Sequence, residues 1–310
     1  MQAPSVSVLG MVLYIVVSPV RASHAIPQAT GWPALGLQVL LDRAGFSSGE
    51  IDGMMGRNTR AALAACRESR SLPDLVNDEA TLRAALDAPG IETLTPYTIA
   101  AADVAGPFAP AIPDDLVEQS KLAALDYTSP LEALAEKFHA SPKLLIALNP
   151  GASFSAGETI RVPNVIVDAA TPPKAAKVVV AREASVLRAL DTEGRIVFHA
   201  PVTSGSERDP LPLGDWTVTA VHKNPIFYYN PNLFWDADPR HSKAKIPSGP
   251  NNPVGLVWID INREHYGLHG TPEPGKVGHT TSHGCVRLTN WDALRLASMV
   301  SKGTPVVFER

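Results

Sequence analysis

The sequence predicts a multidomain chain: a small all-α domain, then an α+β module, then a mostly antiparallel β-sandwich or barrel. Three observations predict it. The length of 310 residues suits two domains or three small ones. Helix-like stripes of Leu and Ala fill the region before residue 90, whereas short β-branched runs fill the region after residue 177. Prolines gather between the two textures, at Pro89, Pro96, Pro107, Pro110 and Pro113, where they favour extended linkers. A hydrophobic content of 45% and a charged content of 19% are globular values. The net charge of −4 gives no basis for expecting nucleic acid or a basic membrane-binding surface.

Residues 1–25 read as a targeting segment. Val6–Val20 is an apolar run too short and too Pro-interrupted to span a bilayer, and Ser23-His24-Ala25 supplies the small residues of a cleavage site. Export is therefore expected, with no integral membrane span. Residues 31–88 form the helical domain. Leu37, Leu40 and Leu41 make the stripe of one helix, stopped by Gly45, and Gly49–Gly53 is a turn. A second helix begins over Thr59–Ala65 and a third covers Thr81–Leu86. Cys66 falls on the second and reads as a small buried apolar residue, not a disulfide partner.

Residues 89–116 read as a linker with some extended structure, semi-rigid because of its prolines. Residues 117–166 form the α+β module, with helices over Leu131–Phe138 and Pro142–Leu148 and a strand at Thr159–Val162. After a short linker, Ala169–Lys177, the β domain occupies residues 177–310. Its strands are expected at Val178–Val180, Ala184–Leu190, Arg195–Val202, Trp216–Val221, Leu256–Ile261 and Thr304–Glu309. Asn290 is the expected N-cap of a helix over Trp291–Ser301, with Gly303 closing it. The aromatic stretch holding Tyr228, Tyr229, Phe234 and Trp235 is either a lid over a site or plain packing.

Chemistry concentrates in His265–Asn290, which contains His265, His269, His279, His283 and Cys285. Gly and Pro punctuate this stretch, so it reads as loop between short strands. Three readings compete. It is a structural loop, a zinc site built from the two His-x3-His pairs with Cys285, or a Cys-His nucleophilic site in which a base activates the thiol.

The residues decide by resemblance. His269-Gly270-Thr271, twelve residues, then Ser282-His283-Gly284-Cys285-Val286-Arg287-Leu288 resembles the signature of the L,D-transpeptidase (YkuD-like) catalytic domain. Asp209–Val218 and Ile246–Gly255 resemble two further segments of that family, so the likeness covers nearly all of Lys177–Arg310. It implies a β-sandwich with a helix beside the signature. Upstream, Leu37-Gln38, Ile51-Asp52-Gly53, Gly56 and Thr59 resemble a three-helix peptidoglycan-binding domain, although the usual Phe-Gln is replaced around Cys66-Arg67. Leu148-Asn149-Pro150, Gly157 and Ile160–Pro163 resemble the LysM sugar-binding module, with Thr128-Ser129-Pro130 where Gly-Asp is usual.

The resemblance implies roles. Cys285 is the nucleophile and His269 its base, oriented by the backbone carbonyl of Gly270. His283 shapes the loop, Ser282 and Gly284 belong to the oxyanion loop, and Arg287 and Thr271 face substrate. It implies a peptidoglycan L,D-transpeptidase that makes 3-3 crosslinks, acting on stem peptides and glycan strands, with no cofactor and no metal. A periplasmic monomer is expected. Lipoprotein attachment, L,D-carboxypeptidase activity and a non-catalytic wall-binding protein are the alternatives.

Overall fold

The computed structural model describes residues 32–167 and 172–310. The targeting segment expected at residues 1–25 lies outside the described residues, as does part of the linker expected at 169–177. Among the described residues no helix is long and apolar enough to cross a membrane.

Three helices open the chain: α1 (Leu35–Arg43), α2 (Arg57–Arg70) and α3 (Glu79–Ala85). Asp78 caps α3 by accepting from Thr81 N. The positions that carry the resemblance here are joined by a buried polar network. The Gln38 amide donates to Asp52 Oδ1 at 2.9 Å and to Thr59 Oγ1 at 3.0 Å, and accepts from Gly53 N at 2.8 Å. A buried amide satisfied this way locks a turn against two helices, so these residues are scaffold.

Every residue of α1 from Leu35 to Asp42 is buried, because the helix lies between two cores. On one side Leu37, Leu40 and Leu41 pack with Leu63, Cys66, Leu82 and Ile196. On the other, Leu35 and Val39 pack with Leu134, Phe138, Leu144 and Val162. Cys66 is fully buried and unpaired, and burial pushes its thiol up to about 11.

The next unit is β1 (Leu94–Thr98), α4 (Leu116–Gln119), α5 (Pro130–Lys137), α6 (Pro142–Leu148) and β2 (Thr159–Pro163). Ser129 and Ser141 cap α5 and α6, each followed by a proline at the first helical position. Asn149 pins α6 to β2, its Oδ1 accepting from Arg161 N at 2.6 Å. The extended structure expected within the linker at 89–116 takes a definite form. It contains β1, which pairs antiparallel with β2 from Leu94↔Pro163 to Thr98↔Thr159. Pro96 reads locally as a breaker, but this sheet has only two strands, so a residue without N–H is tolerated at its open edge. The partner strand is too distant in sequence for local pattern to reveal it.

The β domain supplies β3 (Lys177–Ala181), β4 (Val186–Leu190), β5 (Ile196–Pro201), β6 (Thr203–Ser204), β7 (Gly214–Lys223), β8 (Phe227–Tyr229), β9 (Ala244–Ile246), β10 (Val257–Ile261), β11 (Gly267–His269), β12 (Val286–Arg287), α7 (Asn290–Met299) and β13 (Pro305–Glu309). The main sheet runs β5-β4-β3-β13-β7-β10-β11-β12-β6, antiparallel except at β3–β13 and β11–β12. Its two edge strands, β5 and β6, are consecutive in the chain, so the sheet curls back on itself. One core results, in which Val180, Leu187 and Phe198 from one half meet Val257, Leu268 and Val286 from the other, with Leu296 of α7. The edge of β5 is extended by the helical part, through the Phe46↔His199 bridge and Ser47 N donating to His199 O at 2.9 Å.

Two expectations at α7 also fail. Thr289, not Asn290, is the N-cap, its side chain accepting from Asp292 N. The Asn290 amide is turned to other partners. Gly303 (φ +97°) serves the turn into β13, since the helix stops at Met299.

Candidate active site

Strands β11 and β12 run parallel with Leu268↔Val286 and His269↔Arg287 in register. Leu268 and Val286 are buried in the core, so alternation sends His269, Arg287 and Cys285 to the other face of the sheet. That shared face is what brings a histidine and a cysteine sixteen residues apart into one site. His269 also opposes Trp258 of β10, and the two rings stack with centroids 5.3 Å apart and planes at 19°. A Cβ on Gly267 would come within 2.7 Å of the Trp258 ring, so only glycine lets the indole lie across the strand.

The His269 Nδ1–H donates to the Gly270 carbonyl at 2.6 Å. A carbonyl only accepts, so Nδ1 carries the proton and Nε2 is left with its lone pair. Burial, reinforced by the Arg287 guanidinium, pushes the His269 pKa down to about 3, while the Gly270 contact opposes this. Burial likewise pushes the Cys285 thiol up to about 11, against the Gly267 N–H and Arg287. At neutral pH the pair is thus a neutral imidazole and a neutral thiol. Among the described residues the Cys285 Sγ donates to the His265 carbonyl at 3.5 Å and makes no hydrogen bond to His269. Hydrogen bonds between a nucleophile and its base commonly tighten only in the complex with substrate.

The remaining candidates fall around this pair. Gly284 has φ +101°, and a Cβ there would meet the Tyr266 ring at 2.6 Å, so the loop before Cys285 requires glycine. Ser282 Oγ donates to the Cys285 carbonyl at 2.5 Å and closes that loop. His283 Nε2 lies 2.9 Å from Asp236 Oδ1, and its ring packs on Phe234 and Trp235. Arg287 is pushed below its usual range by burial, and its Nε has no hydrogen-bond partner among the described residues. Thr271 is buried with its hydroxyl accepting from Glu273 N at 3.3 Å, which forms the turn after β11.

The zinc arrangement does not assemble. His265 and His279 are exposed, His269 lies under Trp258 and His283 is held by Asp236. Among the described residues no group of three His, Cys, Asp or Glu side chains could hold a metal ion.

Sequence reasoning missed several participants. His265 contributes its carbonyl, through a left-handed backbone (φ +66°), rather than its ring. Gly267 offers its N–H to the sulfur, and Trp258 covers the imidazole. Backbone contributions leave no residue-type signal. The aromatic stretch becomes the β8–β9 hairpin, and Asp236 brings it against the catalytic loop.

Residues 175–308 match the L,D-transpeptidase catalytic domain. The chain is similar to the Bacillus licheniformis protein named L,D-transpeptidase YkuD, 29% identical over 179 residues, covering 57% of this chain and 91% of that one. It is also similar to the Escherichia coli protein named L,D-transpeptidase ErfK/SrfK, 29% identical over 194 residues, and spans 59% of that relative. Among solved structures an L,D-transpeptidase from Mycobacterium smegmatis aligns at 18% identity with a TM-score of 0.35, over 49% of this chain and 66% of that one.

Proposed function

Residues 175–308 being an L,D-transpeptidase catalytic domain, we propose that this enzyme acylates Cys285 with a peptidoglycan stem tetrapeptide and passes the acyl group to a second stem. Cys285 attacks the carbonyl of the third residue, diaminopimelate, as Nε2 of His269 takes the thiol proton. The tetrahedral oxyanion is received by backbone N–H groups of the His283-Gly284-Cys285 loop. His269 returns the proton to the departing amine and D-Ala leaves. The side-chain amine of a second diaminopimelate then attacks the thioester, loses its proton to His269 and releases the thiol, which makes a 3-3 crosslink. Atoms balance without water or cofactor.

The observation that carries this reading is the 2.6 Å bond from His269 Nδ1 to the Gly270 carbonyl, on the strand face shared with Cys285. It leaves Nε2 with its lone pair, on the same face of the sheet as the thiol. Arg287, in register with His269, suits a substrate carboxylate. The His283–Asp236 contact fits a loop-shaping role for His283.

The same site supports lipoprotein attachment or carboxypeptidase activity, which differ only in the acceptor. A purely wall-binding protein has no use for the paired thiol and imidazole. We assign residues 31–88 to a peptidoglycan-binding-like domain and 117–166, completed by β1, to a LysM-like module. Both would hold glycan strands for an exported, periplasmic monomer whose residues 1–25 direct export. Whole-protein mass spectrometry with disaccharide-tetrapeptide, beside Cys285→Ala, tests the chemistry. A diaminopimelate-to-diaminopimelate dimer absent from the mutant is expected. Tripeptide with free D-Ala alone would favour the carboxypeptidase, and unchanged substrate without an adduct would sink the mechanism.

A further inference from the structure

Asn290 looks like a helix cap in sequence, yet Thr289 takes that position and leaves the asparagine amide for something else. The residue is 1% exposed. Its Oδ1 accepts from Leu256 N at 3.0 Å and its Nδ2 donates to Pro250 O at 3.2 Å. The carboxyl of Glu136, which belongs to α5 of the preceding module, is close enough to this amide to be influenced by it.

The amide is wedged between two glycines. A Cβ on Gly255 would stand 2.0 Å from Asn290 Oδ1, and one on Gly270 would stand 2.1 Å from it. Gly270 is the residue whose carbonyl receives His269 Nδ1–H. Its N–H is tied to Val257 O at 3.2 Å. The peptide that orients the imidazole is therefore gripped by β10 on one side and by the Asn290 amide on the other.

We infer that Asn290 is a positioning residue for the transfer reaction, setting the Gly270 carbonyl and through it the His269 ring, and that Glu136 of the neighbouring module completes its seat. This rests on the Cys285–His269 assignment proposed above. In consequence the upstream module is part of the active-site scaffold, not only an attachment to the wall. Glu136 is placed for this. One of its oxygens is buried without a partner among the described residues. Burial raises its carboxyl pKa to about 7, with the Asn290 amide and His139 pulling the other way and Glu132 and Glu50 adding to the rise.

The test uses the full chain with Asn290→Ala, Glu136→Ala and Glu136→Gln, and His269→Ala as the scale of complete loss. Three quantities are read: thermal midpoint, kcat and KM with disaccharide-tetrapeptide, and the iodoacetamide alkylation rate at Cys285 followed by peptide mass. Losing a group that orients a catalytic histidine typically lowers activity ~10–100-fold. Asn290→Ala and Glu136→Ala are expected to lower kcat about tenfold or more with KM within about twofold. Cys285 alkylation should slow toward the His269→Ala rate. Glu136→Gln, which still accepts from Asn290, should recover most of the loss. A folded Glu136→Ala with wild-type kcat and alkylation would overturn the inference, as would losses in all three variants that merely follow the thermal midpoint. Alkylation requires no wall substrate. A wild type inert toward tetrapeptide, whose alkylation still falls in the variants, would therefore reject the wall-substrate reading and keep this one.

Discussion

The indole of Trp258 lies flat over the imidazole of His269, 5.3 Å between centroids, because the two residues oppose each other across β10 and β11. That stacking withholds water from the ring and disfavours its charged form. The imidazole of His269 and the thiol of Cys285 are consequently both neutral at pH 7; in the proposed reaction the proton crosses only as the sulfur attacks.

A pH profile should show it. His269, held at about 3, is a free base at any pH above that, and Cys285, held at about 11, stays a thiol below that. Acylation measured as kcat/KM is expected to be level from about pH 5 to 9, without the inflection near 6.5 of an ordinary histidine. Trp258→Leu should rehydrate the ring and move the acid limb upward by about one unit or more. The linkage has a definite sign. His269 binds fewer protons folded than unfolded, so its contribution to stability is present above 6.5 and is lost as pH falls toward 3.

Arg287 is expected to act on binding. It stands in register with His269 across β11 and β12, and the fork of a guanidinium matches a carboxylate. Arg287→Ala should raise KM for tetrapeptide about tenfold or more, and Arg287→Lys should not restore it, since an ammonium cannot bind bidentately. Steady-state kinetics on the three proteins decides; an unchanged KM would remove Arg287 from the substrate site.

Residues 109–126 reach from the upstream module to the β8–β9 hairpin. Leu125 is fully buried against Tyr229 and Ile246, Leu125 N donates to Ser248 O at 2.9 Å, and Asp115 Oδ2 lies 2.9 Å from His241 Nε2. His241 Nδ1 lies in turn 3.0 Å from Tyr229 Oη. Leu125→Ala should cost about 2–5 kcal/mol by its cavity, and hydrogen exchange over residues 227–246 should quicken first. Asp115→Asn, at a surface pair, should leave stability almost unchanged.

Asp292 sits where three parts of the chain meet. It is 1% exposed and accepts from Ser47 Oγ at 2.9 Å and Thr289 Oγ1 at 2.7 Å. Burial, with the nearby Asp42 carboxylate, raises its pKa to about 6. An acid with a raised folded pKa stabilises most below its unfolded value of 3.8, and that contribution is lost as pH rises through about 6. Asp292→Asn is thus expected to flatten the fall in thermal midpoint between about pH 4 and 6. A midpoint profile unchanged from wild type would dismiss the charge at this junction.

The sequence by itself singled out Cys285 and His269 as the candidate reactive pair and gave the β texture of the last part of the chain. Cys285, His269 and the glycines around them are residue types whose chemistry is local, and β-branched runs separated by turns announce a sheet without needing their partners. What joins them needed the fold. The pairing of β1 with β2, the core shared across α1 and the reach of residues 109–126 to the hairpin are contacts between segments far apart in sequence, and a local pattern carries no information about its partner. The same holds within the site. Asn290 scores as a cap by residue type, but Thr289 was one position better placed, and only the tertiary packing of Gly255 and Gly270 gave the freed amide its use. The carbonyl of His265 and the N–H of Gly267 belong to the backbone, which every residue possesses, so only the path of the chain could select them.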